Sequence, residues 1–203
     1  MKKIAVIDYG AGNLLSVVKA LRHLGCQCEV TAEPAVLAAA DGAILPGVGA
    51  FGDAMTQLRS RGLEEPIRAF VASGKPFLGI CLGLQILFES SEESPGAAGL
   101  GLLKGKILRI PGDTGLKVPH MGWNSLALTG ESGLFQGVGE EPYVYFVHSY
   151  YLQAEEEIVT ATTEYGVTIH AAVQKDNLMA CQFHPEKSGD VGLKILANFA
   201  AML

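Results

Sequence analysis

The sequence predicts an α/β fold: a three-layer sandwich with helices on both faces of a mostly parallel mixed sheet, and antiparallel strands added in its second half. Over the first 88 residues, apolar runs of strand length alternate with segments whose apolar residues recur at helical spacing, the pattern of a parallel sheet with crossover helices. Beyond Gly101 strand signals dominate, which predicts antiparallel additions to the same sheet. A chain of 203 residues that is 49% hydrophobic and 18% charged is long and apolar enough to bury a sizeable core, and no linker, repeat or low-complexity tract divides it. A single domain over residues 1–203 is expected.

The elements follow in order. Lys3 to Tyr9 reads as a strand. Asn13 is placed to cap a helix whose Leu14, Val17, Val18, Leu21 and Leu24 share one face, with Gly25 as its stop. Cys28 to Thr31 is the next strand, Ala35 to Ala40 a short helix, and Gly42 to Leu45 a third strand ending at Pro46. Asp53 is the expected cap of a helix through Leu58, and Pro66 suits the first turn of another that ends before Gly74. Ser90 to Gly101, rich in Ser, Glu, Gly and Pro, reads as loop. Strands are then expected at Lys106–Ile110, Asn124–Leu128, Tyr143–Val147, Ile158–Thr163, Thr168–Val173 and Leu178–Phe183. A last helix from about Asp190 to Met202 buries Val191, Ile195, Leu196 and Phe199.

Composition excludes several function classes. A net charge of −6 supplies no basic field for nucleic acid or an acidic membrane surface. The four cysteines, at 26, 28, 81 and 181, form no disulfide framework and no paired metal motif, so a reducing cytoplasmic setting is expected and neither metal nor cofactor is called for. The apolar run after Lys3 stops at Asp8, too short for a signal peptide, and no apolar stretch approaches the roughly 20 residues of a membrane helix.

Between the third and fourth helices and the loop lies Lys75 to Gln85. Phe77, Leu78 and Ile80 form a buried strand that turns directly into a helix, with Cys81 at the junction between Gly79 and Gly83. Small flanking residues are what a tight strand-to-helix turn needs to hold its central residue strained and exposed; the spacing is that of a nucleophile elbow with Cys for Ser. The free N–H groups of the helix start favour a thiolate, and that of Leu82 is placed to hold an oxyanion. A buried structural cysteine between packing glycines fits the same local pattern. Ligands of open α/β sheets bind beyond the carboxyl ends of the strands, where Gly10–Asn13, Pro46–Gly49 and Cys81 are all expected to converge.

A nucleophilic cysteine needs a base and a group that orients it. Of the five histidines, His184 alone ends a predicted strand and has an acid two residues on, Glu186, which an extended segment would place on the same side. A solvated ion pair is the bland alternative. His23 suits a helix C-terminus, His170 a solvent-facing or satisfied strand position, and Cys26, Cys28 and Cys181 packing. Gly10-Ala11-Gly12 lacks the third glycine of a dinucleotide loop, since Leu15 stands in its place.

With Gly79-Ile80-Cys81-Leu82-Gly83-Leu84-Gln85 and Phe183-His184-Pro185-Glu186 together, the chain resembles the class I (triad) glutamine amidotransferases. Within them it is similar to the glutaminases of imidazole glycerol phosphate synthase, on Ile7-Asp8-Tyr9-Gly10-Ala11-Gly12-Asn13-Leu14, Pro46-Gly47-Val48-Gly49-Ala50-Phe51, His120-Met121-Gly122-Trp123-Asn124 and Phe146-Val147-His148-Ser149-Tyr150-Tyr151. The resemblance spans nearly the whole chain and implies a flavodoxin-like sandwich that hydrolyses L-glutamine. The ammonia would pass to a (β/α)8-barrel cyclase subunit, the other half of a heterodimer, which makes imidazole glycerol phosphate and an aminoimidazole carboxamide ribotide in histidine biosynthesis. It implies Cys81 as nucleophile, His184 as proton shuttle and Glu186 as the residue that holds the imidazole. Gly49 and Gln85 would contact substrate, and the backbone of Ser149 and Tyr150 would fix its α-amino and carboxylate groups. A backbone N–H at Val48 is the natural second oxyanion donor beside Leu82. Pro119, Met121 and Trp123 would face the partner; an ordinary core tryptophan is the alternative for Trp123.

Two rivals remain at this level: a glutaminase serving another synthase, such as that for pyridoxal phosphate, and a stand-alone cysteine hydrolase of the same topology. The His120–Asn124 and Ile7–Asn13 stretches, which triad chemistry alone does not need, argue against the first. Ammonia release from glutamine separates the second.

Overall fold

Strands whose two faces are both covered by helices are apolar throughout, and the first half of the chain is built from such runs. The computed structural model describes residues 2–113 and 115–203. In order it forms β1 (Lys3–Ile7), α1 (Leu14–His23), β2 (Gln27–Thr31), α2 (Pro34–Ala39), β3 (Gly42–Gly47), α3 (Phe51–Ser60), α4 (Glu64–Ala72), β4 (Phe77–Cys81) and the single turn α5 (Leu82–Gln85). There follow β5 (Ser90–Ser91), β6 (Gly105–Arg109), β7 (His120–Ser125), β8 (Ala127–Leu128), β9 (Tyr143–His148), β10 (Tyr150–Ala154), β11 (Val159–Glu164), β12 (Thr168–Lys175), β13 (Leu178–Cys181) and α6 (Gly189–Ala201).

Among the described residues the main sheet has eight strands in the order β2-β1-β3-β4-β13-β12-β11-β8. From β2 to β13 neighbours are parallel, and from β13 onward they are antiparallel. Every residue of β3 and β4 is buried. One face packs Leu37, Phe51, Met55, Leu58, Ile67 and Phe70 from α2, α3 and α4. The other packs Val17, Val18 and Leu21 of α1 against Ile195, Leu196 and Phe199 of α6. Two cores on opposite faces make the three layers, and each large side chain buried there contributes about 1.5–3 kcal/mol.

The second half departs from expectation. Only β8, β11, β12 and β13 join the main sheet, and β13 runs parallel to β4 rather than antiparallel to it. Strands β10, β6 and β5 form a second sheet, and β7 with β9 a two-stranded ribbon. The ribbon stands apart because β9 alternates buried Val144, Phe146 and His148 with more open neighbours, and β7 exposes Met121 and Trp123. A strand with one wet face does not belong inside a doubly covered sheet. The expected strand Asn124–Leu128 is thereby split between the ribbon and β8, and β10 was not foreseen.

Helix starts differ too. Asp53 does not cap α3, which begins at Phe51. Its first N–H groups are held from the loop instead: Glu93 Oε2 accepts from Phe51 N–H at 2.8 Å, and Ser94 Oγ from Gly52 N–H at 3.0 Å. Asn13 precedes α1 but makes no side-chain cap bond.

Candidate active site

The elbow forms as its sequence demands. Cys81 ends β4 with φ 55° and ψ −109°, a conformation that costs an L-residue on the order of 1–3 kcal/mol and persists only where its surroundings enforce it. The surroundings are glycines. A side chain on Gly83 would overlap the Leu45 carbonyl oxygen of β3, and one on Gly79 would meet the Gly83 carbonyl at 2.8 Å, so the turn can close only with both positions bare. The helix that follows is one turn long, shorter than the apolar run through Phe88 suggested, so its dipole is small. Its unshared N–H groups remain at the Cys81 end.

His184 follows β13, the parallel neighbour of β4, and is 2% exposed. Its Nδ1 lies 2.8 Å from Glu186 Oε1, the pairing read from the sequence. The geometry differs from the extended segment expected: His184 itself is extended, but Pro185–Lys187 form a 3₁₀ turn that swings Glu186 back onto the ring. Ser188 Oγ locks this turn, donating to the His184 carbonyl at 2.6 Å and accepting from Tyr145 N–H at 2.9 Å. His184 Nε2 is buried with no hydrogen-bond partner among the described residues, which leaves it free to serve the neighbouring sulfur. Burial pulls the imidazole pKa down, yet the nearby Cys81 sulfur and the hydrogen-bonded, charged Glu186 carboxylate more than offset this and raise it from 6.5 to about 9. The shift favours the protonated imidazole, the form that a proton donor to a leaving group needs. Replacing Glu186 with Gln keeps an acceptor for Nδ1–H and removes the charge. Glutamine turnover should fall about 10²-fold, well short of the loss on removing Cys81, as steady-state ammonia assays would read.

Sequence reasoning missed Gln182, which is fully buried. Its Nε2 donates to Cys81 Sγ at 3.7 Å, while its Oε1 accepts from Gln85 Nε2 at 3.1 Å. Gln85 Nε2 also donates to the Tyr150 carbonyl at 3.0 Å. Both amide protons of Gln85 are therefore committed inside the protein, and its Oε1 is the atom left to meet a ligand. Beside this chain lies a cavity of about 280 Å³ lined by Val48, Gly49, Cys81, Leu82, Gln85, Glu93, Val147, His148, Ser149 and Tyr150. It holds every expected substrate and oxyanion position, adds Glu93 and His148, and lies near the lower end of the usual range for small-molecule sites. Gly47 pairs with Cys81 across β3 and β4, which brings Val48 beside Cys81. Gly10 and Ala11 do not line this cavity; they face Val48 and Gly49 across a separate one, so two of the three expected loops converge and the third backs them.

His148 and His120, to which the sequence reading gave no role, form a buried pair. His120 Nδ1 and His148 Nε2 lie 3.0 Å apart, and His148 Nδ1 is 2.9 Å from the Tyr150 carbonyl. Burial lowers both from 6.5, His148 to about 3 and His120 to about 4, and lowers His170 as well. Groups depressed in the folded state contribute stability that is complete above the unfolded pKa near 6.5 and is lost as pH falls towards the folded values. His184, shifted the other way, loses its contribution only as pH rises towards 9. The unfolding midpoint should therefore drop by about 5 °C between pH 7 and pH 5, with a shallower slope in a His120→Asn/His148→Asn double variant.

Pro119, Met121 and Trp123 stand away from the cavity. Met121 and Trp123 are 62% and 55% exposed, which removes the core reading of Trp123. Pro119 and Met121 line an apolar groove with Leu116, Val118 and Tyr165. His170 accepts from Ala154 N–H at 3.0 Å, and no helix among the described residues is long and apolar enough to cross a membrane.

A cysteine on a strained elbow, with a histidine nearby and a glutamate bonded to that histidine, is an arrangement suited to acyl transfer, and comparison with known proteins gives the chain a family. The family model for class-I glutamine amidotransferases matches residues 5–203. The chain is 52% identical to imidazole glycerol phosphate synthase subunit HisH of Methanothermobacter thermautotrophicus, over 98% of each chain. It is 53% identical to the subunit of the same name from Moorella thermoacetica, over 100% of this chain and 96% of the relative. Among solved structures, PurLQS from Thermotoga maritima superposes with a TM-score of 0.78 at 21% identity, over 98% of both chains. A putative GMP synthase subunit from Thermoplasma acidophilum superposes with a TM-score of 0.71 at 19% identity, over 100% of this chain and 94% of that one. At these identities the structures speak for the fold, while the family model and the relatives extend over the elbow and the His184–Glu186 turn together: the chain belongs to the class-I glutamine amidotransferases.

Proposed function

We propose that this chain is the glutaminase subunit of imidazole glycerol phosphate synthase, acting as one domain over residues 1–203 in the cytoplasm and passing ammonia to a (β/α)8-barrel cyclase subunit. The observation that carries the chemistry is Cys81 at positive φ on a cavity wall, with the His184–Glu186 pair beside it.

Glutamine enters with its side-chain amide at Cys81. The sulfur attacks the amide carbon, and the carbonyl oxygen takes up the negative charge against the N–H groups of Leu82 and Val48. The His184 imidazolium gives its proton to the nitrogen, the C–N bond breaks, and ammonia leaves a glutamyl thioester. His184, now neutral, takes a proton from water; the hydroxide oxygen displaces the sulfur, and glutamate is released. Glu186 keeps Nδ1 protonated so that Nε2 does both jobs. The Gln182 amide, donating to the sulfur, stabilises it each time it carries charge. Gly49, Gln85 Oε1 and the Ser149–Tyr150 backbone hold the amino-acid end.

For the partner, the exposed Met121 and Trp123 and the apolar groove beside Pro119 supply the sort of aromatic and apolar anchors on which interfaces depend. The test is to mix the chain with the cyclase subunit and supply glutamine and the cyclase substrate. Imidazole glycerol phosphate should form from glutamine only when both chains are present. A chain that does not bind the cyclase, yet releases ammonia into another synthase, would instead place it with a different partner.

A further inference from the structure

The protons of the buried histidine pair can be assigned from one end. The Tyr150 carbonyl only accepts, so His148 Nδ1, 2.9 Å away, carries the hydrogen, and a neutral His148 then presents a bare Nε2. His120 Nδ1, at 3.0 Å, must donate to it, which leaves His120 Nε2 bare towards the Asn124 amide at 3.5 Å. A neutral pair is also what burial favours at both rings. His120 is clamped in the required plane by stacking between Phe146 and Tyr165, with ring centroids 4.7 and 3.9 Å away. Asn124 is tied in turn to the Glu164 carbonyl at 3.0 Å.

The relay ends at a junction. The Tyr150 carbonyl accepts from His148 on one side and from Gln85 on the other, and Gln85 continues through Gln182 to the Cys81 sulfur. It begins on β7, where His120 points inward while Met121 and Trp123 of the same strand are exposed. The triad chemistry uses neither histidine, and a buried two-ring chain of this kind is not needed to close a β-ribbon that backbone hydrogen bonds already close.

We propose that His120 and His148 are positioning residues for the glutaminase reaction, a directional imidazole relay that fixes the Ser149–Tyr150 backbone of the glutamine site from the exposed strand β7. The proposal rests on the Cys81 cavity being a glutamine site. Because that backbone grips the end of the substrate remote from the reacting amide, loosening it weakens ground state and transition state alike, so KM rises while kcat changes little.

Two variants of His120, which does not line the cavity, separate the relay from mere packing. His120→Phe keeps a flat ring between Phe146 and Tyr165 and removes the donor to His148. His120→Asn gives up the ring and returns an amide N–H near the place of Nδ1. Each is assayed as the complex with the cyclase subunit, once with glutamine and once with ammonium salt as nitrogen source. We expect His120→Phe to raise the glutamine KM about tenfold, the worth of roughly one buried hydrogen bond, with kcat within about threefold of wild type. His120→Asn should bring KM back to within about threefold, and synthesis from ammonium salt should be unchanged in both. A wild-type KM in His120→Phe overturns the relay. So does an equal rise in both variants, which would mean that packing matters and the hydrogen bond does not, or a joint loss of ammonium-dependent synthesis, which would make the pair a fold or interface element. If Cys81→Ala retains glutamine hydrolysis in the same complex, the reading of the cavity fails and the relay falls with it, a result distinct from the others.

Discussion

Replacing Cys81 with alanine should abolish glutamine-dependent synthesis by the two-chain complex, by about 10⁴-fold or more, and leave synthesis from ammonium salt at its wild-type rate. The size follows from covalent chemistry: without the sulfur there is no thioester route, and the remaining oxyanion donors and His184 act on a bound amide with only water to attack it. The selectivity follows from location. Cys81 is 6% exposed at the end of a fully buried strand, and its cavity is separate from the exposed face that bears Met121 and Trp123. Alanine adopts φ 55° no more easily than cysteine and is smaller, so the elbow should survive intact. His184 then loses one of the two partners that raise its pKa, and its titration, followed by NMR, should move down from about 9. Loss of both nitrogen routes with the partner still bound would mean that Cys81 holds the fold or the interface rather than the reaction.

What the sequence revealed of this site was local, and what it concealed was not. Gly79 and Gly83 announce the elbow because their lack of side chains answers contacts within four residues and with the adjacent strand. His184-Pro185-Glu186 is legible for the same reason: the ion pair closes over two bonds of sequence, even though a 3₁₀ turn makes it rather than a strand. Glu93 was hidden because its partner, Phe51 N–H, is 42 residues away, and local reasoning assigned the cap of α3 to Asp53 instead. Gln182 reaches Cys81 across 101 residues, through the parallel placement of β13 beside β4, and no periodicity predicts which strand becomes the neighbour. His120 and His148 read as unremarkable strand residues until the ribbon register sets them opposite each other. The fold class emerged because alternation and composition average over many residues, whereas the polar network depends on single pairings between distant ones.

The isolated chain should release ammonia from glutamine about 10²–10³-fold more slowly than the complex with cyclase ligand bound. That factor is the usual cost of one missing oxyanion donor, and of the two donors proposed above one stands where its backbone has room to turn. Leu82 N–H is fixed by the elbow. Val48 N–H is not: β3 ends at Gly47, Val48 lies outside any strand and is 42% exposed, and Gly49 follows at φ +108°. Of the two glycines that bracket it, only Gly49 uses the left-handed region. Gly47 is glycine for space, since a side chain there would run into the Tyr9 hydroxyl and stand 3.0 Å from Leu82 Cβ. Gly47 is thus held in β3 beside Tyr9 and Leu82, and a turn of the peptide joining it to Val48 changes only the ψ of Gly47 and the φ of Val48, a change that the exposed Val48 and the left-handed Gly49 beyond it have to absorb. Cavities on both sides of Val48 and Gly49 leave room for that rotation. The triad needs no change between the two states: the His184–Glu186 pair is already closed at 2.8 Å in the chain alone. Ammonia release is to be measured for the isolated chain, the two-chain complex and the complex with cyclase ligand. Turnover by the isolated chain equal to that of the liganded complex would mean that Val48 already points at the oxyanion and that Pro46–Gly49 is a fixed turn. A stepwise rise confined to kcat would place the switch at the donor, because an oxyanion contact exists only in the transition state, whereas a rise expressed through KM would place it in substrate binding instead.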